Sequence, residues 1–490
     1  NPSLAMIPSG YKATKLYSVL PEPVISGTEL VTNGNFATDS DWTKGTGWTI
    51  SGGTANANNI SSFSDYLSPT YVVFTVGKTY LITYTVLNYT EGNIAIFDGN
   101  AGITPIRTAN GTYTELLTAT NSLLRFITNG VVGTFSIDNV SVKEVLVGDG
   151  DFTVSRNSVA TRVNSSGLIE EVGVNVPRLD YSDGGCPVLL TEPQSTNLAL
   201  WSEDFSNGVW TKADGCTIES INNIISPDNT LTADLIDING GRIYRNISLT
   251  GGLSYVYTCY YKGIAGETVN VNHLGSPSPI LFELDGTWQR FSFPFTAVAG
   301  SNTIYLVDNR VQGTALKVNL WGAQVEQQSY PTSYIKTEGT TVTRNADVVE
   351  GAGDVTTFNS QEGVLYAEIA ALSDDGTNRN ITINGGTSNY IRIYYSPIPS
   401  QITYLVVSNG SVVVNIVANS VNQEVLREIV VTWKLNEFKF YNNGSLVGTD
   451  SSGITPIGLN KLMFSEPNGA NNFYGKTKAL KVYKSIADAQ

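Results

Sequence analysis

Charge is scarce in this chain. Of its 490 residues only 15% are charged, against about 25% in typical globular proteins, and Ser, Thr, Asn and Gly fill the gap. The balance is acidic, with a net charge of -14, and no stripe of Lys and Arg with interleaved aromatics is present. Phosphate binding depends on such clusters, so nucleic acid is excluded as a partner. Histidine is scarcer still, His273 being the only one. A Ser-His-Asp or Cys-His arrangement would have to be built on it, and nothing in Asn272-His273-Leu274-Gly275-Ser276 accompanies it. Histidine-bound zinc is ruled out by number unless cysteines or carboxylates dominate the site. The three cysteines, Cys186, Cys216 and Cys259, are odd in number and lack metal-like spacing. Three reduced, largely buried thiols are favoured over a Cys216–Cys259 bridge, because scaffolds that rely on disulfides are cysteine-dense. No apolar run approaches the roughly 18 residues of a membrane-spanning helix. The opening Asn1-Pro2-Ser3-Leu4-Ala5-Met6-Ile7-Pro8 lacks the cationic and apolar stretches of a secretion signal.

What the chain does have is β-structure signals. Asn-Gly and Asp-Gly pairs recur at Asn33-Gly34, Asp98-Gly99, Asn110-Gly111, Asp214-Gly215, Asp285-Gly286, Asn409-Gly410 and Asn443-Gly444, and these residues tolerate the positive φ of tight hairpins. Between them lie short β-branched and aromatic runs such as Tyr80-Leu81-Ile82-Thr83-Tyr84-Thr85-Val86 and Tyr255-Val256-Tyr257-Thr258-Cys259-Tyr260-Tyr261. Short strands at this density predict sandwiches or jelly rolls. A single helical turn is expected, around Asn422 to Arg427.

One pattern occurs twice. Phe36, Trp42-Thr43-Lys44 and Thr49-Ile50 reappear as Phe205, Trp210-Thr211-Lys212 and Thr217-Ile218. Gly77-Lys78-Thr79-Tyr80 answers to Gly252-Leu253-Ser254-Tyr255, Gly111-Thr112-Tyr113 to Gly286-Thr287-Trp288, and Gly133-Thr134 to Gly313-Thr314. Such duplication implies a modular protein that presents surfaces. The division expected is an extended, Pro-containing N-terminal arm (1–25), a first repeat unit (26–147), an irregular connector (148–195), a second repeat unit (196–335), a connector (336–353) and a final unit (354–490). Thr153-Val154-Ser155-Arg156-Asn157 in the first connector is echoed by Thr341-Val342-Thr343-Arg344-Asn345 in the second, and the two are expected to pair as strands in one place, at a subunit interface. In the last unit, Ile429–Trp433 and Glu437–Val447 form a hairpin about an Asn-Gly turn.

The opening Asn33-Gly34-Asn35-Phe36…Trp42…Gly47-Trp48-Thr49 and the closing Ile137-Asp138-Asn139-Val140-Ser141-Val142 resemble jelly-roll carbohydrate-binding modules. The final unit, with Trp433, Tyr441-Asn442-Asn443-Gly444 and Gly475, resembles a concanavalin-A-like (laminin-G-like) sandwich. Ala160-Thr161-Arg162-Val163-Asn164, Pro177-Arg178-Leu179-Asp180-Tyr181, Leu190-Thr191-Glu192-Pro193-Gln194-Ser195-Thr196-Asn197-Leu198 and Gln324-Val325-Glu326…Tyr330-Pro331-Thr332-Ser333-Tyr334-Ile335 are similar to bacteriophage virion proteins. These resemblances imply an all-β chain of two jelly-roll β-sandwiches followed by a concanavalin-A-like β-sandwich. They also imply a trimeric head or tail fibre or decoration protein on the virion surface. Residues 1–25 would dock on other virion proteins, and unit 26–147 would be an insertion. The alternatives are a purely structural appendage without a ligand and a secreted bacterial glycan-binding adhesin.

Jelly rolls of the resembled type often hold a structural calcium between their first and last strands. Asp138 is then either a ligand of that ion or a strand-edge residue, and Asn319 is its uncharged counterpart in the second unit. No other cofactor is expected. Glycan contact requires aromatic faces ringed by Asn, Gln and Asp. The candidates are Tyr66 and Tyr89 (with Tyr71), Trp201 and Trp288 (with Tyr260), and Tyr394 and Tyr404 (with Tyr390 and Tyr395), each also open to a packing role. Trp42 and Trp210 are expected in cores. Catalysis is not expected. Glycoside cleavage needs two flanking carboxyl groups, whereas Glu368-Ile369-Ala370-Ala371-Leu372 lacks the later acids of a laminarinase-type strand, Asp374-Asp375-Gly376 has the composition of a turn, and Glu170-Glu171 that of a solvated edge.

Overall fold

The computed structural model describes residues 2–12, 15–18, 28–62, 64–101, 103–145, 152–273 and 280–489, with backbone alone for 9–12 and 15–18. Among the described residues strands are the regular elements, apart from one short 3-10 turn at Ala487–Ala489. Asn422–Arg427 forms a turn leading into strand Arg427–Lys434 rather than a helix. Residues 22–148 make one compact unit, and residues 1–21 with 149–490 make another.

In the unit of residues 22–148, a four-stranded sheet runs in the order Trp42–Lys44, Leu67–Pro69, Arg125–Ile127, Ala95–Phe97. A five-stranded sheet runs Trp48–Ser51, Thr54–Ile60, Gly133–Glu144, Thr79–Glu91, Gly111–Thr118. The second repeat reproduces this order strand for strand. One of its sheets is Thr211–Ala213, Arg242–Leu249, Gly300–Asp308, Thr268–His273 with an added edge strand Ile280–Glu283, and the other is Thr217–Ile224, Ala233–Asp237, Lys317–Glu326, Ser254–Lys262, Gln289–Thr296. The repeated residues set one local device in both copies. The Trp42 and Trp210 rings are buried and lean on Phe36 and Phe205, with centroids 5.0 and 5.3 Å apart. Each indole N–H donates to the carbonyl nine residues earlier, of Asn33 (3.1 Å) and of Trp201 (3.0 Å). Both acceptor residues have a φ of +55°.

The final unit is a third sandwich. Its smaller sheet runs Ser411–Ala418, Ile402–Ser408, Tyr390–Tyr395, Arg379–Asn384, Lys461–Met463. Its larger sheet centres on Gly475–Tyr483, Glu362–Ala371, Arg427–Lys434, Phe438–Asn442 and Ser445–Asp450. The N-terminal segment is extended, as its prolines require, but it is not a free docking arm. Leu4–Lys12 pairs with Gly475–Tyr483 (Leu4↔Val482, Met6↔Leu480), and Leu4 and Met6 are fully buried in the core of this sandwich. Lys15–Ser18 pairs back on Leu4–Lys12 and forward with Phe152–Ser155. The two strands that flank the 22–148 unit in sequence are thus neighbours in one sheet. Residues 19–27 and 146–151 of the arm and the junction lie outside the described residues.

The connectors are not irregular. Phe152–Ser155, Ala160–Val163, Ile169–Val172, Arg178–Asp180, Val188–Thr191 and Ser195–Asn197 are strands of three or four residues, as are Val342–Arg344 and Val348–Glu350 in the second connector. The echoed segments come together, with the Asn345 Nδ2 donating to Asn157 O at 3.0 Å. They do not pair with each other: Phe152–Ser155 pairs with Val348–Glu350, and Val342–Arg344 with Ser195–Asn197. The echoed arginines explain the proximity. Arg156, Arg178 and Arg344 are all at most 1% exposed. Asp347 bridges Arg156 (2.8 Å) to Arg178, and Glu192 bridges Arg178 (2.6 Å) to Arg344. The surplus cation is met by carbonyls, Arg156 donating to Gly173 O at 2.7 Å and Arg344 to Pro193 O at 2.6 Å.

Burial alone would raise the Glu192 carboxyl, but the Arg178 and Arg344 guanidiniums and bonds from Arg178 and Ser333 hold it down at about 2, against an ordinary 4.5. Its contribution is therefore full above pH 4.5 and is lost as the pH falls towards 2. Glu192→Gln leaves two buried guanidiniums without their carboxylate, and should cost about 3–5 kcal/mol, read as a lowered urea midpoint of the 149–490 transition. The same variant should flatten the acid-induced loss of melting temperature between pH 4.5 and 2.

Candidate functional site

Strand Tyr390–Tyr395 alternates strictly. Ile391, Ile393 and Tyr395 enter the core, at 0, 2 and 1% exposure. The pleat therefore places Tyr390, Arg392 and Tyr394 together on the outer face of the smaller sheet. The Arg392 guanidinium carbon lies 4.3 Å from the Tyr394 ring centre and 5.8 Å from that of Tyr390. Its Nη1 donates to Glu466 Oε1 at 2.9 Å. Registered beside Tyr394 are Thr403 on one side and Asn380 on the other, the latter donating from Nδ2 to Asn471 O at 2.8 Å. The Oδ1 atoms of Asn380 and Asn378 are buried without a protein donor. The row Thr403, Leu405, Val407 lies low beside the tyrosines, at 2, 7 and 5% exposure. The result is two half-exposed phenol faces flanking a neutralised arginine, rimmed by amides. Such a surface offers apolar area to sugar C–H groups and polar groups to hydroxyls.

The other candidate residues do not join this face. Tyr404 is a correction. In register with Ile393 it points inward, is fully buried, and its hydroxyl donates to Thr432 O at 2.9 Å. Burial pushes its phenol well above the usual range. Tyr395 is likewise core. Trp288 is half-buried, leaning on the small cluster of Ile169, Ala233, Trp321 and Tyr334, and its indole donates to Ile225 O at 2.9 Å. Trp201, also half-buried, is held by its backbone in the Trp210 device and lines a depression with Glu203 and Asn222. In the 22–148 unit, Tyr89 packs against the core with its hydroxyl on Gly92 O at 2.6 Å, and half-buried Tyr66 lies under the Arg125 guanidinium, 4.4 Å away. Sequence reasoning missed Arg392 and Glu466. The alternation Tyr-Ile-Arg-Ile-Tyr was legible, but the acid comes from a loop some 70 residues away, |i−j| being 74.

At Asp138, the candidate calcium ligand, the carboxylate is bonded to its own neighbour in the chain. Both of its carboxylate oxygens receive hydrogen bonds from Asn139, the backbone N at 2.7 Å and Nδ2 at 3.1 Å. The acid that ties the start of this sandwich to its last strand is Glu29, which accepts Val31 N, Val142 N and Ser141 Oγ at 3.1, 2.7 and 2.6 Å. These carboxylates are thus already engaged by protein donors. Among the described residues no group of three His, Cys, Asp or Glu is arranged for a metal.

The polar groups considered for catalysis are engaged structurally. His273 is buried, its ring stacked on Phe295 (centroids 4.2 Å apart) with Nε2 3.1 Å from Asn302 Oδ1, and burial lowers its affinity for a proton. Asp374 accepts Ser400 N at 2.8 Å, Asp375 pairs with Arg379 at 2.9 Å, and Glu368 pairs with Lys478 at 2.8 Å. Glu170 pairs with Arg162 at 2.6 Å. Cys216 and Cys259 are buried free thiols, raised to about 11 and about 12 by burial, while Cys186 is an exposed free thiol.

No family model and no curated protein matches the chain. Similar solved structures include a CBM22 tandem domain from Paenibacillus barcinonensis (10% identity, 62% of this chain and 98% of that one, TM-score 0.22). A native glycosidic hydrolase is also similar (12%, 60% and 96%, TM-score 0.22), as are domains LG4-5 of the mouse laminin alpha1 chain (9%, 49% and 88%, TM-score 0.21). Overlaps this loose carry no weight for function. The chain is an all-β protein of β-sandwich units.

The two tyrosines on neighbouring strands separate packing from surface. Tyr404→Ala should cost about 3–5 kcal/mol, as for other large buried rings, whereas Tyr394→Ala should stay within about 1 kcal/mol. Urea denaturation of both variants measures the contrast.

Proposed function

We propose that this chain is a non-catalytic adhesion protein of a bacteriophage virion surface, holding host-surface glycans on the outer face of its C-terminal sandwich. The observation that carries the glycan reading is the Tyr390–Arg392–Tyr394 row, closed by Glu466 and bordered by Asn378 and Asn380. The virion part rests on the connector motifs, such as residues 190–198 and 330–335, which resemble those of bacteriophage virion proteins. Non-catalytic action is supported by Glu170, Glu368, Asp374, Asp375 and His273, each already engaged with a protein partner. Attachment to the particle through a free N-terminal arm is not part of the proposal, since Leu4–Lys12 is a strand of the C-terminal sandwich.

A glycan array probed with the whole chain should show a recognisable class of neutral glycans, and Tyr394→Ala should weaken that binding at least tenfold, about 1.4 kcal/mol, with the fold retained. Silence across the array, or equal binding by the variant, would remove the glycan reading. Antibody against the chain should decorate purified particles. Binding without decoration would leave adhesion standing and remove the virion.

A further inference from the structure

A second site lies where the connector meets both the middle and the C-terminal sandwiches. The inward residues of strand Ser254–Lys262, namely Tyr255, Tyr257, Cys259 and Tyr261, fill the middle core. Alternation sends Thr258 and Tyr260 to the other face, and Arg290 stands opposite Tyr260 in the pairing. Gly322, at φ +67°, interrupts the neighbouring strand there. A Cβ on it would come within 3.2 Å of the Tyr260 ring and 3.3 Å of the Tyr334 ring, so its absence lets the two rings close on the backbone. Over this floor the connector contributes Asp180 and Leu190, and the C-terminal sandwich contributes Leu372 and Lys476. The pocket, half open to solvent, has a volume of about 230 Å³.

Its charges are nearly all spent. Arg162 pairs with Glu170 at 2.6 Å and Lys476 with Asp183 at 2.6 Å, while Glu192 belongs to the buried arginine series. Asp180 accepts Val163 N at 2.8 Å and Ser182 N at 3.1 Å. Arg290 is the exception. Among the described residues it has no acidic partner. It donates from Nη2 to Thr258 Oγ1 at 3.1 Å, and its Nε is buried without an acceptor. The guanidinium carbon lies 5.5 Å from the Tyr260 ring centre. Burial raises the Tyr260 phenol and outweighs the lowering effect of Arg290, so the hydroxyl stays protonated as a donor.

We propose that this pocket binds a small carboxylate carried on a hydroxylated ring, as in an acidic sugar. The carboxylate would sit on the Arg290 fork and the Tyr260 hydroxyl, and the ring between Leu190 and Leu372, with Asp180 and Ser182 as hydroxyl partners. A bidentate guanidinium contact is geometrically selective, and a lysine cannot reproduce it. A cation facing a half-sheltered, partly apolar volume gains more from such an anion than it would in open water.

The test is isothermal titration of the whole chain with glucuronate, N-acetylneuraminate, glucose, acetate and inorganic phosphate. At least one acidic sugar should bind, glucose should not, and acetate and phosphate should bind at least about tenfold more weakly, a difference of about 1.4 kcal/mol. Arg290→Met should abolish the heat. Arg290→Lys, which retains the charge and guards against loss of fold, should weaken binding about tenfold or more. Circular dichroism confirms that both variants fold. Absence of heat with both acidic sugars, equal binding of glucose, acetate or phosphate, or unchanged affinity in Arg290→Met would overturn the proposal. Tyr394→Ala should leave this heat unchanged, so failure here and failure of the sheet-face reading are told apart.

Discussion

The series Arg156–Asp347–Arg178–Glu192–Arg344 is the constraint on which the 149–490 unit depends. Its members come from both connectors and alternate in sign, so each interior charge is shared by two neighbours. Taking such groups out of water costs several kcal/mol per ion unless each is paired and its remaining donors are bonded. Here several spare N–H groups find partners, the Val172, Gly173 and Val176 carbonyls around Arg156 and Ser333 Oγ around Arg178 and Arg344, while the Nε of Arg178 and of Arg344 is buried without an acceptor. The series can form only if residues nearly two hundred positions apart, |i−j| being 191 for Arg156 and Asp347, arrive together. That requirement fixes where the middle sandwich leaves and rejoins the sheet built around Gly475–Tyr483.

The same logic accounts for the small polar core beside it. Asn197 is fully buried and fully bonded, donating to Ala323 O and Ile335 O and accepting from Ala199 N and Val325 N. Glu326, also buried, accepts Ser195 Oγ at 2.6 Å and Thr332 N at 3.1 Å. Strands of three residues cannot hold themselves by ladder bonds or by apolar area. These side chains supply the missing partners, and in a low-dielectric setting a completed network specifies one arrangement.

Legibility in the sequence followed the same division. The sandwiches announce themselves because alternation and Asn-Gly turns report a half-buried pleated surface, and the Phe36/Trp42 and Phe205/Trp210 pairs marked equivalent cores. The connectors did not, since their buried positions carry arginine, glutamate and asparagine, which hydropathy reads as surface. The echo of Ser-Arg-Asn in Thr-Arg-Asn was the one visible sign, and it pointed to the right place for a reason other than strand pairing. Tyr404 and Tyr394 show the limit on the binding side: both lie in tyrosine-bearing strands, and only the register with Ile393 decides which ring is outside. For Leu4–Lys12, prolines foretold extension, but the partner strand ends the chain and no local pattern could name it.

The arginines that rest on tyrosine rings then fall into two groups. Arg392 with Glu466, Arg242 with Asp214 and Arg107 with Glu115 are closed by an acid at 2.9, 2.7 and 2.7 Å. Arg290 over Tyr260 and Arg125 over Tyr66 have no acid partner among the described residues. A closed pair presents polar edges without net charge, and it meets hydroxyls without the desolvation cost an ion would impose. An open one leaves a positive charge beside an apolar ring, which is worth most to an anion with an apolar body. The two kinds of site therefore differ in ligand charge although they use the same two residue types. In the proposed reading the outer face of the C-terminal sandwich takes neutral sugars and the Arg290 pocket acidic ones, and the presence or absence of a carboxylate beside the arginine decides between them.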